Sequence, residues 1–183
     1  MIQGTKADIR RVDLFGHRSR LGTVHIACSD KGLLRIVLPG LPLKDVQHKL
    51  RARFGHVALR ELTQANAMMR QVIAAIDATL DDTIDWQQPA SPPMDLDLSD
   101  FARQVLTQIA NIPRGQTRSY KDIAQALHRP QASRAVGQAC ARNPVPLLIP
   151  CHRVLASRGR LGGFAGGLQL KRQLLVREGA LLT

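Results

Sequence analysis

The strongest constraint on the fold is a segment in the middle of the chain, residues 81–98, that suits neither a helix nor an internal strand. It holds three prolines and five acidic residues, and no lysine or arginine lies between Gln71 and Ala102. Proline lacks a backbone N–H and fixes φ, so such a segment interrupts regular structure. The sequence therefore predicts an N-terminal domain, 1–98, which includes this crossover segment, and a C-terminal domain, 99–183.

The sequence of the N-terminal domain predicts a small antiparallel sheet with helices, and hence an α+β fold. Two apolar, β-branched runs flank residues 29–32, and the Ser-Asp-Lys-Gly sequence between them is typical of a hairpin turn. Apolar residues at helical spacing predict two helices, over residues 42–53 and 65–80.

The sequence of the C-terminal domain predicts a mostly helical, winged-helix-like unit that contains a helix-turn-helix. A helix capped by residue 99 or 100 comes first, and a serine three residues ahead of Asp122 resembles the capping box of a second helix. After Pro130, residues 131–142 form the other helix of the motif, and a last helix covers 168–178. On the helix 131–142 we expect an inner face of Ala135, Val136, Ala139 and Cys140, and an outer face of Ser133, Arg134, Gln138 and Arg142.

Charge is unevenly distributed along the chain. The net charge is +12, and residues 101–183 carry 13 lysines and arginines but only two carboxylates, Asp122 and Glu178. A part this basic is typical of a nucleic-acid-binding protein, although a merely soluble basic surface is the other interpretation. No apolar run approaches the ~20 residues of a membrane span, and the N-terminus lacks the apolar stretch of a secretory signal, so no membrane contact is expected. The widely spaced cysteines fit a reducing cytoplasm best.

Three cysteines, an odd and widely spaced set, argue against a disulfide framework and against bound zinc. Cys28 and Cys140 are expected to be small buried hydrophobes. The histidines without partner spacing are expected at the surface rather than as ligands: His17, His25, His48, His56 and His128. We therefore expect no metal and no cofactor.

The sequence NPVPLLIPCHRV, residues 143–154, carries the candidate chemistry. Its three prolines stiffen the backbone, and the apolar run 145–149 should be buried and deliver Cys151 to a fixed place. A nucleophilic cysteine must be a thiolate, which a base and nearby positive charge favour. His152 is the adjacent candidate base, acting through a water unless the backbone turns there, and Glu178 is the remaining carboxylate that could orient it.

Three features have a structural as well as a functional interpretation. Cys151 is either a nucleophile or a small buried hydrophobe. The glycine-rich run 162–167 is either a plain loop or a place where backbone approaches a ligand closely. Tyr120, the one tyrosine in the sequence, either packs at the start of its helix or stacks on, or donates to, a nucleic acid.

Together these segments resemble the O6-alkylguanine-DNA alkyltransferases, also called methylated-DNA–protein-cysteine methyltransferases. The resembling stretches are residues 115–120, 133–137, 143–154 and 163–179. Ile-Pro-Cys-His-Arg-Val at 149–154 is the most specific, and the hairpin around residues 21–33 is a weaker match. The resemblance implies a single-turnover DNA repair enzyme that moves a methyl or alkyl group from O6-alkylguanine, with O4-alkylthymine as a second candidate, to Cys151.

The resemblance also implies roles for the catalytic residues. His152 would remove the proton of Cys151 through a water, and Glu178 would orient His152. Asn143 would brace the active-site loop and help to read the base.

The DNA contacts implied by the resemblance centre on a flipped nucleotide. Tyr120 would hydrogen-bond the flipped guanine and help to rotate its phosphate, while Arg134 would fill the gap in the base stack. The second helix of the motif would lie in the minor groove. The further residues expected at DNA or base are Ser119, Ala135, Gly137, Arg153, Val154, Phe164, Ala165, Gly166 and Lys171.

The sequence departs from the family at Phe164 and Ala165, where tyrosine and serine are common. Phe164 could still form a wall of the base pocket, but the missing hydroxyl affects how the base is selected. The expected partner is double-stranded DNA with alkylated bases. We expect a monomer, with clustering on DNA as a second expectation, located with the nucleoid in a bacterium or in the nucleus of a eukaryote. The competing interpretations are a helix-turn-helix regulator or lesion-binding protein, and a Cys-His hydrolase.

Overall fold

The computed structural model describes residues 10–40, 42–55, 57–81 and 92–181. Most of the predicted crossover segment, residues 82–91, lies outside the described residues, as does His56. A four-stranded sheet with two helices precedes a mostly helical part, so the predicted α+β class is confirmed. Within the described ranges, none of the helices has both the length and the apolar character needed to cross a membrane.

The N-terminal sheet has the strand order β3-β2-β1-β4. Its strands are β1 (Arg10–Ser19), β2 (Gly22–Cys28), β3 (Leu33–Val37) and β4 (Val57–Glu61). The predicted hairpin is confirmed, because β2 and β3 pair antiparallel and the backbone N–H of Ser29 donates to the carbonyl of Gly32 at 2.9 Å. The sheet is mixed rather than purely antiparallel, since β4 pairs parallel with β1.

Two helices accompany this sheet, α1 (Leu43–Phe54) and α2 (Ala67–Leu80), and both were predicted to within two residues. Helix α2 begins after Asn66, whose side chain accepts the backbone N–H of Met69 at 2.9 Å and so caps the helix. His25 is buried, contrary to the surface position expected for it, because β2 lies between β1 and β3.

The C-terminal part contains the predicted helix-turn-helix. Its elements are α3 (Asp100–Ala110), β5 (Arg118–Ser119), α4 (Tyr120–Ala126), α5 (Ser133–Ala141), β6 (Val154–Leu155) and α6 (Gly167–Arg177). Ser99 caps α3, and the capping box of α4 is complete: the N–H of Ser119 donates to Asp122 at 2.8 Å, and the N–H of Asp122 to Ser119 at 3.1 Å.

The inner face of α5 holds Val136, Ala139 and Cys140, as predicted, but the prediction for Ala135 was wrong. Ala135 is exposed because it lies one residue, about 100° of helical rotation, away from the buried Val136. Ala135 therefore belongs to the outer face of the helix, beside Arg134.

The two parts of the chain share one core. The main cluster of buried apolar residues joins the sheet, α2 and the C-terminal helices, while a smaller cluster lies under α1. A backbone hydrogen bond also connects them, from the N–H of Ile36 on β3 to the carbonyl of Pro144 at 2.8 Å. Because Pro144 belongs to the segment that carries Cys151, the N-terminal sheet braces that segment.

Candidate active site

The segment leading to Cys151 is held by Asn143, which is buried. The side-chain amide of Asn143 donates to the carbonyl of Ile149 at 2.8 Å, and its side-chain oxygen accepts the N–H of Val145 at 3.1 Å. The apolar residues between these two points, including Leu147, pack in the main core. One side chain thus ties both ends of the apolar run and fixes where Cys151 emerges.

Cys151 begins a 3-10 turn, Cys151–Arg153, so the backbone does turn at the nucleophile. The residue is only 6% exposed, and burial raises the pKa of its thiol. A hydrogen bond with Asn143 and the positive charge of Lys171 lower that pKa in part. The thiol is therefore protonated in the resting protein and needs a base before it can act as a nucleophile.

His152 is fully buried, and its Nε2 lies 2.9 Å from Oε1 of Glu178. Burial lowers the pKa of His152, and the contact with Glu178 raises it in part. Burial alone would raise the pKa of the Glu178 carboxyl, but hydrogen bonds and positive charge from His152 and Arg153 lower it to about 2. The carboxylate of Glu178 is thus ionised at neutral pH.

An ionised carboxylate can only accept hydrogen bonds, so Nε2 of His152 carries the proton and Nδ1 is left as an acceptor. This Nδ1 atom is buried and forms no hydrogen bond with any residue that the structure describes. His152 is consequently a neutral base whose free nitrogen is available to take a proton, and Glu178 is placed to stabilise the imidazolium that would form.

Arg153 does not lie at the surface, as a DNA-contacting residue would. It is 4% exposed, and its guanidinium donates from Nε to Oε2 of Glu178 at 2.8 Å and from Nη2 to Oε1 at 2.9 Å. Its Nη1 donates to the carbonyl of Ile112 at 2.6 Å. The expected DNA contact is wrong because this fork is already occupied, and Arg153 instead fixes the position of Glu178.

Lys171 is also buried rather than at the DNA surface. Its Nζ donates to the carbonyl of Val154 at 2.6 Å and lies 3.5 Å from the carbonyl of Gly163. Burial lowers the pKa of Lys171, and its charge lowers the pKa of the Cys151 thiol. Lys171 therefore belongs to the electrostatic environment of the nucleophile, a role that the sequence analysis missed.

A signal for this role was present in the helical register of α6. Positions 171, 174, 175 and 178 recur at the spacing of one helical face, and the two middle positions are buried leucines. Charged residues in line with a buried apolar stripe are expected to turn inward. Both ends of the stripe, Lys171 and Glu178, do so.

Tyr120 is half-buried at the start of α4, with glycines on two sides of its ring. A Cβ atom on Gly137 of α5 would lie 4.0 Å from the ring, and a Cβ on Gly162 would lie 3.0 Å from the hydroxyl oxygen. Burial raises the pKa of Tyr120, and negative charge on Cys140 or Cys151 would raise it further. Glycine at residue 162 therefore leaves room for the Tyr120 hydroxyl.

The glycine-rich loop supplies another wall. The Phe164 ring lies edge-on to the His152 ring, with centroids 6.2 Å apart. Ala165 is exposed, and at Gly166 an added Cβ would lie 3.2 Å from the Phe164 ring. Val154 is buried, its N–H donates to the carbonyl of Cys151, and its own carbonyl accepts from the Lys171 ammonium. The backbone expected to meet the base is thus rigidly held.

The outer face of the helix-turn-helix differs from this buried cluster. Arg134 is exposed on α5 and forms no hydrogen bond or ion pair with any described residue, so its guanidinium is available to a ligand. Ser119 is half-buried, and its hydroxyl oxygen already accepts the N–H of Asp122. Its hydroxyl hydrogen is left to donate elsewhere.

The other two cysteines are buried, as predicted, and burial raises the pKa of Cys28 and of Cys140 to about 12. All three cysteines are free thiols. Among the residues with described positions, no group of three His, Cys, Asp or Glu side chains could hold a metal ion. Cys151 thus differs from the other two cysteines in combining two features: the charge of Lys171 lowers the pKa of its thiol, and a histidine follows it directly in the sequence.

Comparison with known proteins gives a family match for the C-terminal part. Residues 100–180 match the family model described as 6-O-methylguanine DNA methyltransferase, DNA binding domain. Over an aligned segment of 80 residues the chain is 49% identical to the methylated-DNA–protein-cysteine methyltransferase of Methanosarcina barkeri. This segment makes up 44% of this chain and 51% of that protein. The chain thus spans about half the length of the curated relatives it matches.

Two further comparisons extend over most of the chain. The bifunctional transcriptional activator/DNA repair enzyme Ada of Escherichia coli is 33% identical over 161 residues, 86% of this chain and 43% of that protein. The crystal structure of Mycobacterium tuberculosis OGT in complex with DNA superposes with a TM-score of 0.74 at 26% identity, covering 92% of this chain and 93% of that one. The fold similarity therefore includes the N-terminal sheet.

Proposed function

We propose that the chain, whose residues 100–180 match the O6-methylguanine DNA methyltransferase family, repairs DNA by moving a methyl or larger alkyl group from O6 of guanine to Cys151. One observation carries the proposal. The buried Cys151 directly precedes in sequence a neutral histidine that is hydrogen-bonded to an ionised glutamate, within a strongly basic part of the chain. A regulator that only binds DNA has no use for this arrangement.

The proposed reaction begins with proton transfer from the Cys151 thiol to Nδ1 of His152, directly or through one water. Glu178 stabilises the imidazolium, and the Lys171 ammonium stabilises the thiolate. The thiolate sulfur then forms a bond to the alkyl carbon as the bond from that carbon to O6 breaks. The electron pair stays on the guanine, which takes up one proton. The His152 imidazolium gives back the proton that it took from the thiol, by way of solvent, while the Tyr120 hydroxyl donates a hydrogen bond to the base, so His152 and Tyr120 both end neutral.

The product is a thioether on Cys151, and water does not hydrolyse a thioether near neutral pH. One protein molecule therefore removes one alkyl group and then stops. No cofactor takes part in this scheme, because the group moves directly from base to protein.

The proposed substrate is an alkylated base in double-stranded DNA. A base atom inside a duplex is out of reach, so the nucleotide must be flipped out at a cost of a few kcal/mol. Arg134, exposed on α5, would fill the gap in the stack while α5 lies in the minor groove. In this scheme residues 99–183 bind DNA and carry the chemistry, and residues 1–98 support them, as a monomer located with the DNA in the cytoplasm or nucleus.

The proposal is tested by incubating the protein with a duplex that holds O6-methylguanine with a labelled methyl group. We expect label on the protein, up to one methyl per molecule, and unmodified guanine in the DNA. Free labelled product with repeated turnover would instead indicate a hydrolase. Binding without transfer would indicate a regulator or a lesion-binding protein.

Two cysteine variants control this experiment. Cys151→Ser should abolish transfer while leaving DNA binding intact. Cys140→Ser removes a buried thiol in the same part of the chain and should leave the stoichiometry of transfer unchanged. Loss of transfer in the second variant but not in the first would overturn the assignment of the acceptor.

A further inference from the structure

A groove of about 580 Å³ runs between the N-terminal and C-terminal parts of the chain, and Cys151, His152 and Glu178 do not line it. Its walls come from β3, the end of α1, residues 95–99, the start of α3 and the end of α5. Because α5 is the helix proposed to bind DNA, the groove continues that proposed surface towards the N-terminal sheet.

Arg35, on β3, is the unusual residue in this groove. Its side chain is half-buried, yet it forms no hydrogen bond or ion pair with any residue that the structure describes. Burial, and then the nearby charge of Arg53, lower the pKa of Arg35. Taking a guanidinium partly out of water without a carboxylate partner is unfavourable, so fold stability alone does not explain an arginine here.

Two more arginines line the groove, Arg53 at the end of α1 and the exposed Arg142 that follows α5. Two carboxylates also line it, and among the described residues no hydrogen bond or ion pair joins either of them to Arg35 or Arg142. Asp95 accepts a hydroxyl hydrogen bond from the β2–β3 turn at 2.6 Å, and Asp97 lies 4.0 Å from Arg53. The guanidiniums of Arg35 and Arg142 therefore keep their donors available to an anion.

We propose that this groove binds a backbone phosphate of the DNA duplex, with Arg35 and Arg142 donating to its oxygens. The inference rests on the proposed function, because DNA held by α5 brings phosphates past the groove. A planar guanidinium matches the oxygens of a phosphate, and a phosphate in the groove would relieve the repulsion between Arg35 and Arg53. The N-terminal sheet would thus extend the DNA footprint beyond the helix-turn-helix.

The test measures how DNA affinity depends on salt in Arg35→Gln, Arg142→Gln and the double variant. The probe is an undamaged duplex that holds one protein molecule, as established by titration. Removing one arginine–phosphate interaction should reduce the slope of log K against log salt by about 0.9. We expect a reduction of about that size in each single variant and about twice that in the double variant.

The control is Arg18→Gln, which removes one exposed positive charge near the β1–β2 turn, outside the groove. It should leave the slope unchanged, and thermal unfolding should show that all the variants are folded. Arg142 is already exposed, so its replacement should not affect the fold. An unchanged slope in Arg35→Gln, or an equal reduction in Arg18→Gln, would overturn the proposal.

A longer duplex that holds several protein molecules separates DNA from protein as the occupant. If affinity falls only on the longer duplex, the groove contacts a neighbouring copy and the phosphate proposal is overturned. Methyl transfer from the free base O6-methylguanine should persist in every variant, because a free base needs no backbone contact. A lack of transfer in the unaltered protein would overturn the proposed function, and the salt comparison would still decide this inference.

Discussion

Replacing Glu178 by glutamine should damage both the fold and the reaction, and a second substitution should separate the two effects. Glutamine keeps the shape of the side chain but removes the charge that His152 and Arg153 share. The pKa of this carboxyl is about 2, against an ordinary value of 4.5. At 1.36 kcal/mol per pH unit, the charged state contributes at most about 3 kcal/mol to the free energy of unfolding at neutral pH, because the part due to a charged His152 is absent while His152 is neutral.

The Glu178 side chain is only 3% exposed, so solvent screens these contacts little. A loss of at most about 3 kcal/mol corresponds to a fall in Tm of no more than roughly 6–12 °C for a chain of this size. The loss arises because Arg153, itself buried, would be left without its counterion. Thermal unfolding of Glu178→Gln measures it directly.

Arg153→Met in the Glu178→Gln background should restore most of this stability, because the unpaired buried guanidinium is then removed as well. Methyl transfer should remain slow, by about 100-fold or more, since His152 still lacks the carboxylate that stabilises its imidazolium. Single-turnover transfer from the free base measures the rate without any DNA-binding step. A double variant that transfers methyl groups at the unaltered rate would refute a role for Glu178 in the reaction.

Three further predictions concern individual charges. Lys171→Met should move the pH profile of Cys151 alkylation by iodoacetamide to higher pH, because the ammonium lowers the pKa of the thiol; a superimposable profile would contradict this. Burial lowers the pKa of His25 and of His152 below 6.5, so the unfolded chain binds protons first. The free energy of unfolding should therefore be lower at about pH 5 than at about pH 7. Equal denaturant midpoints at these two pH values would contradict this prediction. Arg134→Ala should slow repair of duplex DNA more than transfer from the free base, which needs no flipping, and equal losses on both substrates would remove the role of Arg134 in the stack.

Local signals in the sequence predicted much of the fold. The Ser-Asp-Lys-Gly turn and the caps at Ser99 and Ser119 act over a few residues, so they can be read directly from the sequence. Strands β1 and β4 were not predicted individually. They pair in parallel although residues such as Val12 and Leu59 lie far apart along the chain, and no local pattern specifies such a pairing.

The candidate site was predictable where a sequence motif indicates its chemistry. Where burial decides a residue's role, the register of α6 gave a signal for Lys171, and no comparable helical pattern covers Arg153. Cys151, His152 and Glu178 were expected together, and the structure places His152 and Glu178 in contact. Arg153 and Lys171 were expected at the DNA or the base, but both are buried. Charge alone does not distinguish a side chain that faces a phosphate from one that is buried against a carboxylate or a carbonyl.

The central claim, that Cys151 is the alkyl acceptor, is tested most directly by mass spectrometry of the protein after exposure to an excess of duplex containing O6-methylguanine. We predict an intact mass higher by one methyl group and no more, with the methyl located on the peptide that contains Cys151. A methyl group on Cys28 or Cys140, or continued repair with no change in the protein's mass, would contradict the claim.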